Sequence, residues 1–211
     1  VFRDLKLAEL TGAKLHIPHV STAESVKYIN EMKNAYDKIT AEVTPHHLFY
    51  NDKHLENYNT NLKVAPPIRD SLSREALIKG IKNGTIDCIA TDHAPHTVHE
   101  KETTFDLASC GLIGLESCFG VVKRILADEE GVSLIDIIKL LTISPRKIMG
   151  FDNNLLEIGK EAELVILDDE ERWNFQEKNI ESKSKNSPFI NQDLSGRVKY
   201  TISNGQIATS S

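Results

Sequence analysis

Residues 85–92 read TIDCIATD, a near-continuous apolar run without the alternation that marks a half-exposed strand. A strand of that kind is covered on both faces, which is the situation of a parallel sheet with helices packed against it. The segments before it supply the rest of such a sheet. The opening VFRDLKLAELTGAKLHI reads as a helix already under way, so the chain is expected to begin mid-fold, and TGAKLHIPHVS holds a short strand. Ser21 and Glu24, three apart, form a capping box ahead of the helix TAESVKYINEMKNA. KITAEVTPHHL is a strand rich in β-branched residues, and NLKVAPPIRD is held extended by its prolines. Asp70 or Ser71 caps SLSREALIKGIK, which stops at Asn83-Gly84. Strand, helix, strand, helix, strand is a βα pattern.

Beyond Pro95 the texture changes to helices without intervening strands. GLESCFGVVKRILADEE has apolar residues at helical spacing, Ser133 and Asp136 open SLIDIIKLLT, and SPRKIMGF is a short helix ended by Gly150. From about residue 152 two β-rich stretches, KEAELVILD and GRVKYTISNGQIA, flank the polar segment EKNIESKSKNSPFINQDL, which reads as a loop. The expected organisation is an α/β unit over residues 1–151 and a β-rich subdomain over residues 152–211.

Charge and cysteine content narrow the function. With 25 Lys and Arg against 31 Asp and Glu the net charge is -6, and no basic face is concentrated anywhere, which argues against nucleic acid as a partner. No apolar run approaches the roughly 20 residues that span a bilayer, so no membrane role is expected. Cys88, Cys110 and Cys118 form no CxxC pair and are odd in number, as in a reduced cytoplasmic chain. A small anionic substrate needs only one local cationic site and stays compatible with this balance.

The apolar strand ends in the cluster TDHAPH. Asp92 falls at its carboxyl end, where the βα loops of barrels and open α/β sheets build their sites. An Asp after a strand is also a common turn former, yet His93 and His96 beside it make a carboxylate–imidazole constellation suited to metal binding or proton transfer. A second cluster, LHIPHVST, carries His16 and His19 near the end of an earlier strand. Their odd separation directs them to opposite faces of a regular strand, so His19 is the site candidate and His16 is expected to pack or bond to backbone. The adjacent His46 and His47 must diverge for the same reason. Trp173, Tyr50 and Phe189 are assigned to packing, and the acidic run DDEER at 168–172 to a solvated turn.

Taken together, HVSTAES, AEVTPHHL, APPIRD, NGTIDCIATDHAPHT and GLIGLE resemble dihydroorotase of the amidohydrolase superfamily, in its bacterial long-chain class. The order and spacing match over residues 1 to about 167, and GKEAELVILD with YTISNGQI resembles the β-subdomain that completes that fold. The resemblance implies the C-terminal part of a metal-dependent (β/α)8 TIM-like barrel followed by a small β-subdomain. It implies one or two zinc ions and the reversible conversion of L-dihydroorotate to N-carbamoyl-L-aspartate in pyrimidine biosynthesis. By the same resemblance His19 is a metal ligand on the sixth barrel strand, and Asp92 is a metal ligand and catalytic residue on the eighth. His96 grips a substrate carboxylate, and Cys110 and Gly111 contact the pyrimidine ring through their backbone.

The pattern has departures. Ala65 in VAPPIR stands where relatives often carry an Asn that contacts substrate, so only backbone contact is expected there. The family's remaining metal ligands lie upstream of residue 1, and two ligands fall short of the three or four that usually hold zinc. Three barrel strands of eight would also leave apolar edges open. The expected partners are therefore a small-molecule substrate, the upstream half of the barrel on the same or a separate chain, and further copies in a homo-oligomer. Aspartate carbamoyltransferase is a further candidate partner, and the segment by itself is expected to be inactive. Two alternatives stand beside this reading: a non-catalytic dihydroorotase-like subunit, and another cyclic-amide hydrolase of hydantoinase or allantoinase type.

Overall fold

The computed structural model describes residues 1–154 and 156–209. Leu155, Ser210 and Ser211, within the span assigned to the β-rich subdomain, lie outside the described residues. Helix α1 (Phe2–Thr11) ends at Gly12 and leads into β1 (Leu15–Ile17), α2 (Ala23–Ala35), β2 (Ile39–Val43), α3 (Pro45–Phe49), α4 (Ser71–Lys82), β3 (Cys88–Ile89) and the short α5 (Val98–Lys101). The three strands pair in parallel in the order β1-β2-β3, with His16 opposite Thr40 and Glu42 opposite Cys88. Along β2 burial alternates: Ile39, Ala41 and Val43 are fully covered, while Thr40 and Glu42 are half-buried. The first set packs into a cluster with Val26 and Ile29 of α2 and Leu77, Ile78 and Ile81 of α4. The second set shares a face with His16 and Cys88, because paired residues in a sheet project to the same side. Asp87 ties the layers together, its carboxylate accepting from Ala41 N–H (2.7 Å) and from Lys33 Nζ of α2 (2.6 Å).

Capping chemistry sets the helix starts, with small shifts from the sequence pattern. The α2 cap is Thr22, whose hydroxyl accepts from Ser25 N–H, rather than Ser21. Asp70 caps α4 by accepting from Ser73 N–H, and Ser133 caps α7 (Leu134–Leu141) by accepting from Asp136 N–H. The strand expected through TPHHL stops at Val43, because Thr44 caps α3 with Pro45 at its first position. His46 and His47 therefore sit on a helix. The long apolar helix after residue 115 is α6 (Cys118–Lys123), continued by a π-helical turn (Arg124–Glu129), and α8 (Ile143–Met149) ends at Gly150 as expected.

The tail forms an antiparallel sheet of β4 (Leu164–Asn174), β5 (Asp193–Ser203) and β6 (Gln206–Thr209) in the order β4-β5-β6. Asn204 and Gly205, both at positive φ, make the two-residue reversal between β5 and β6 that an Asn-Gly pair favours. The acidic run at 168–172 corrects the expectation of a turn: it lies within β4 at a register shift, and Glu171 pairs with Arg197 (3.0 Å) and Lys199 of β5. Cross-strand charge pairing is what places it in a strand. The polar segment between β4 and β5 has only one short 3-10 turn, yet it is anchored. Phe175, Ile180 and Phe189 are buried in a second core with Tyr50, Val64 and Leu112, and Tyr50 donates to Pro188 O (2.8 Å). Tyr50 and Phe189 thus pack, as read from their lack of any motif.

Polar contacts also join the sheet to α6. Lys123 Nζ donates to Asp128 (3.0 Å) and to Ser195 Oγ of β5 (2.8 Å), and Arg172 of β4 reaches the other Asp128 oxygen at 2.5 Å. Burial works against ionisation of Asp128, but hydrogen bonds from Ser195, Lys123 and Arg172 outweigh it and hold the carboxyl below its ordinary 3.8. A depressed folded-state pKa stabilises the fold above the unfolded value, and that contribution is lost as pH falls through the folded value. Asp128→Ala should cost about 1.5–3 kcal/mol at neutral pH, the range for hydrogen bonds to charged groups, and the cost should shrink below pH 3.8. Denaturant unfolding of both forms across the acid range checks this.

Candidate active site

The carboxyl ends of the three strands converge. β1 stops at Ile17, and Pro18 and His19 follow, with His19 at φ 48. β3 stops at Ile89, and Asp92 three residues on takes φ 50. Two non-glycine residues in the left-handed region, at matching ends of neighbouring loops, mark backbone held by its surroundings. The outcome is that His19 Nε2 faces Asp92 Oδ1 at 3.4 Å.

The parity argument that separated His16 from His19 fails here, because the strand ends between them. Both rings reach Glu42: His16 Nε2 lies 3.1 Å from Oε2, and His19 Nδ1 lies 2.8 Å from Oε1. His16 Nδ1 also bonds Thr40 Oγ1 at 2.8 Å. His16 accordingly belongs to the polar face of the sheet and not to the helical side. The His19–Glu42 approach is short but off the ring N–H axis, so Nδ1 is left without an aligned hydrogen bond.

Electrostatics follow from this geometry. The Asp92 carboxylate, and after it Glu42, raise the His19 imidazole to about 9 against partial burial. Burial resists ionisation of Glu42, yet the hydrogen bond from His16 and the close approach of the His19 imidazole prevail and bring it down to about 2. Two carboxylates around one imidazole make a local negative field that holds a proton and equally suits a metal cation. On α3, burial drives His46 well below its ordinary range, with His47 and His19 adding to it, and its two ring nitrogens have no hydrogen-bond partner among the described residues. Burial also lowers His47 to about 4, against the pull of the Pro66 carbonyl 3.0 Å from its Nε2.

A metal fits this end of the sheet in donor type. His19 Nε2 and Asp92 Oδ1 are an imidazole and a carboxylate aimed at a common point, which are ligand types that zinc takes. The pair supplies two donors. A different trio, His16, Glu42 and Cys88, has its ligand atoms within 4.8 Å of one another. It fits less well, because His16 and Glu42 already bond each other and burial pushes the Cys88 thiol up to about 12, away from the thiolate that would bind.

The loop after Asp92 forms a second group of site residues. His93 makes an isolated parallel bridge with Leu112, and its Nδ1 accepts from Gly114 N–H at 3.2 Å. His96 Nε2 bonds the Cys110 carbonyl at 2.9 Å, and its Nδ1 lies 3.7 Å from Glu100 Oε1. Gly111 is buried at φ 138, and a Cβ there would come within 2.6 Å of Ala94 Cβ and 2.8 Å of His96 Nε2. Its N–H donates to Lys63 O at 2.8 Å, which brings in the strip that carries Ala65, itself exposed. The structure thus pairs His19 with Asp92, and His96 with Cys110 and Gly111.

Three further residues were not visible as site residues in the sequence. Glu42 is one. Lys101, buried, donates to Ser109 O (2.8 Å) and Gly111 O (2.9 Å). Asn186, from the polar segment between β4 and β5, donates to Ala94 O (3.1 Å) and Gly111 O (3.3 Å) and accepts from His96 N–H (3.3 Å). The partners of Lys101 and Asn186 are backbone groups 8 to 92 residues away. The one sequence signal was the alternation of β2, which puts a carboxylate at a strand position otherwise bordered by apolar residues.

Residues 5–208 match the amidohydrolase family, and the chain belongs to that family. It is 44% identical over 207 residues to a protein named dihydroorotase from Caldicellulosiruptor saccharolyticus, covering 98% of this chain and 48% of the relative. A dihydroorotase of Elusimicrobium minutum is 42% identical over the same share. The chain spans about half the length of the curated relatives it matches. Among solved structures, an L-hydantoinase (dihydropyrimidinase) from Arthrobacter aurescens superposes with a TM-score of 0.90 at 26% identity, over 99% of this chain and 47% of that one. The dihydropyrimidinase of Brevibacillus agri also gives 0.90, at 20% identity. The three parallel strands with their helices are thus part of an amidohydrolase (β/α)8 barrel, and the antiparallel sheet is the small β-unit that follows it.

Gly111→Ala is expected to strain the backbone and push His96 off Cys110, at a cost of roughly 1–3 kcal/mol; thermal unfolding reads the cost. Asn186→Ala removes the side-chain partner of Ala94 O and His96 N–H and leaves Gly111 O to Lys101 alone. Amide exchange at Ala94, His96 and residues 111–113 should accelerate, while exchange in α2 should stay as it is.

Proposed function

We propose that this chain carries part of the active site of a zinc-dependent dihydroorotase, which opens the ring of L-dihydroorotate to N-carbamoyl-L-aspartate and closes it in reverse. The observation that carries the reading is the His19–Asp92 pair, 3.4 Å apart at the carboxyl ends of β1 and β3; the dihydroorotase names of the relatives point the same way. His19 and Asp92 would hold the metal. A metal in that position supplies Lewis-acid help at the scissile amide and lowers the pKa of water.

The chain's own residues do the remaining work. Asp92 accepts the proton of the attacking water and returns it to the leaving nitrogen, a task for a carboxylate within reach of both. Its backbone at φ 50 fixes where that carboxylate stands. His96 turns from the Cys110 carbonyl to a substrate carboxylate, and the Cys110–Gly111 backbone lies against the ring, with Lys101 and Asn186 holding that strip in place. Ala65 contributes backbone only.

Residues 1–211 alone hold two of the zinc ligands and are inactive in this reading, with the other part of the barrel on the same or a separate chain as their partner. The division at residue 151, a homo-oligomer and an association with aspartate carbamoyltransferase belong to the same proposal and rest on the resemblance. A cytoplasmic setting accords with free Cys88, Cys110 and Cys118, and no helix among the described residues is long and apolar enough to cross a membrane.

The likeness to an L-hydantoinase at 26% identity supports a second reading, hydrolysis of another cyclic amide. The test uses the full-length, zinc-loaded protein with dihydroorotate, hydantoin and allantoin as substrates. Dihydroorotate should be turned over far faster than the other two. Asp92→Asn should lower kcat by roughly 10²- to 10⁴-fold, the range for losing a general acid–base, with little change in the melting temperature. Turnover of hydantoin with dihydroorotate untouched would replace the first reading with the second.

A further inference from the structure

We propose that Glu42 is a positioning residue: it fixes the His19 ring so that Nε2 points to the place it shares with Asp92. The proposal rests on His19 and Asp92 being metal ligands, as read above. Glu42 lies on β2, the middle strand, between His16 on one neighbour and Cys88 on the other. Its side chain is only 13% exposed, and its two oxygens are divided between two imidazoles, Oε2 at 3.1 Å from His16 Nε2 and Oε1 at 2.8 Å from His19 Nδ1. His16 is held in turn by Thr40, so the carboxylate cannot rotate away without breaking a bond made inside the sheet.

His19 follows the end of β1 at a left-handed φ, and its backbone is tied to β2 one residue on, where Val20 N–H donates to Glu42 O at 2.9 Å. A carboxylate on the free nitrogen of a ligating histidine selects the tautomer, orients the ring and raises its basicity. Glu42 offers that carboxylate from a strand paired on both sides, with Oε1 2.8 Å from His19 Nδ1. The chain of contacts runs Thr40, His16, Glu42, His19, Asp92, and it links the floor of the sheet to the site at its rim.

The full-length protein is compared as wild type, Glu42→Gln, Glu42→Ala, His19→Ala and Cys88→Ser. Zinc affinity is measured by competition with a chromophoric chelator, and the visible spectrum is taken after loading with Co²⁺. Glu42→Ala should bind zinc about 10- to 100-fold more weakly, as for loss of other partners behind metal-ligating groups, with altered cobalt bands. Glu42→Gln, which keeps an uncharged acceptor, should recover part of the loss, and it gives the decision where Glu42→Ala does not fold. Unchanged zinc affinity and cobalt spectrum in a folded Glu42 variant, with His19→Ala defective, would overturn the role of Glu42 alone. Wild-type zinc affinity in His19→Ala would instead overturn the site reading beneath it. Loss of zinc in Cys88→Ser with His19→Ala unaffected would move the ion to the strand trio and overturn both.

Discussion

Parallel pairing of β1, β2 and β3 is the constraint from which the site follows. It brings residues 16, 40, 42 and 88 onto one face in a set register, and it gathers the carboxyl ends of the three strands on one side, where their loops meet. The other face of β2 is completely apolar and is covered by α2 and α4. Hydrophobic cover on that side gives the strands their places and leaves the opposite face free for polar groups. In a parallel sheet such groups must satisfy one another, and His16, Thr40 and Glu42 do.

The rim is built differently from the sheet. Loops 90–97 and 109–114 are held by one backbone bridge and by the side chains of His96, Lys101 and Asn186 bonded to carbonyls. Buried carbonyls need donors, and a loop without ladder partners takes them from side chains. Asn186 comes from the segment between β4 and β5, so the β-unit does more than cap the barrel. It supplies a polar anchor to the strip on which His96, Cys110 and Gly111 stand, while Phe175, Ile180 and Phe189 pack beneath it. Asp128, shared by Lys123 and Arg172, fastens the same unit from the side of α6.

Much of this was legible in the residues. The apolar run ending in TDHAPH placed Asp92 at a strand terminus, and capping at Asp70 and Ser133 fell where their side chains predict. His19 was singled out from His16 and does meet Asp92, although by a route other than strand parity. That parity argument assumed a strand long enough to include both histidines, and a proline followed by a left-handed residue ends it first. DDEER was misread because charge runs are commonly solvated turns, whereas here the run lies in β4 and Glu171 pairs with Arg197 and Lys199 on the facing strand. EKNIESKSKNSPFINQDL, read as a loop, begins with a 3-10 turn and ends in the first two residues of β5, and its polarity concealed the buried Asn186 and Phe189.

Local chemistry therefore determined what the sequence could declare by itself: most strands and helices, the caps at Asp70 and Ser133, and the clustering of Asp92 with nearby histidines. Each depends on residues within a few positions of one another. The tertiary structure alone decided which imidazole nitrogen faces which carboxylate, that Glu42 stands between two histidines, and that Asn186 reaches back 92 residues to Ala94. Those contacts join groups far apart in the chain, and their partners are chosen by register and by the need of buried polar atoms for hydrogen bonds.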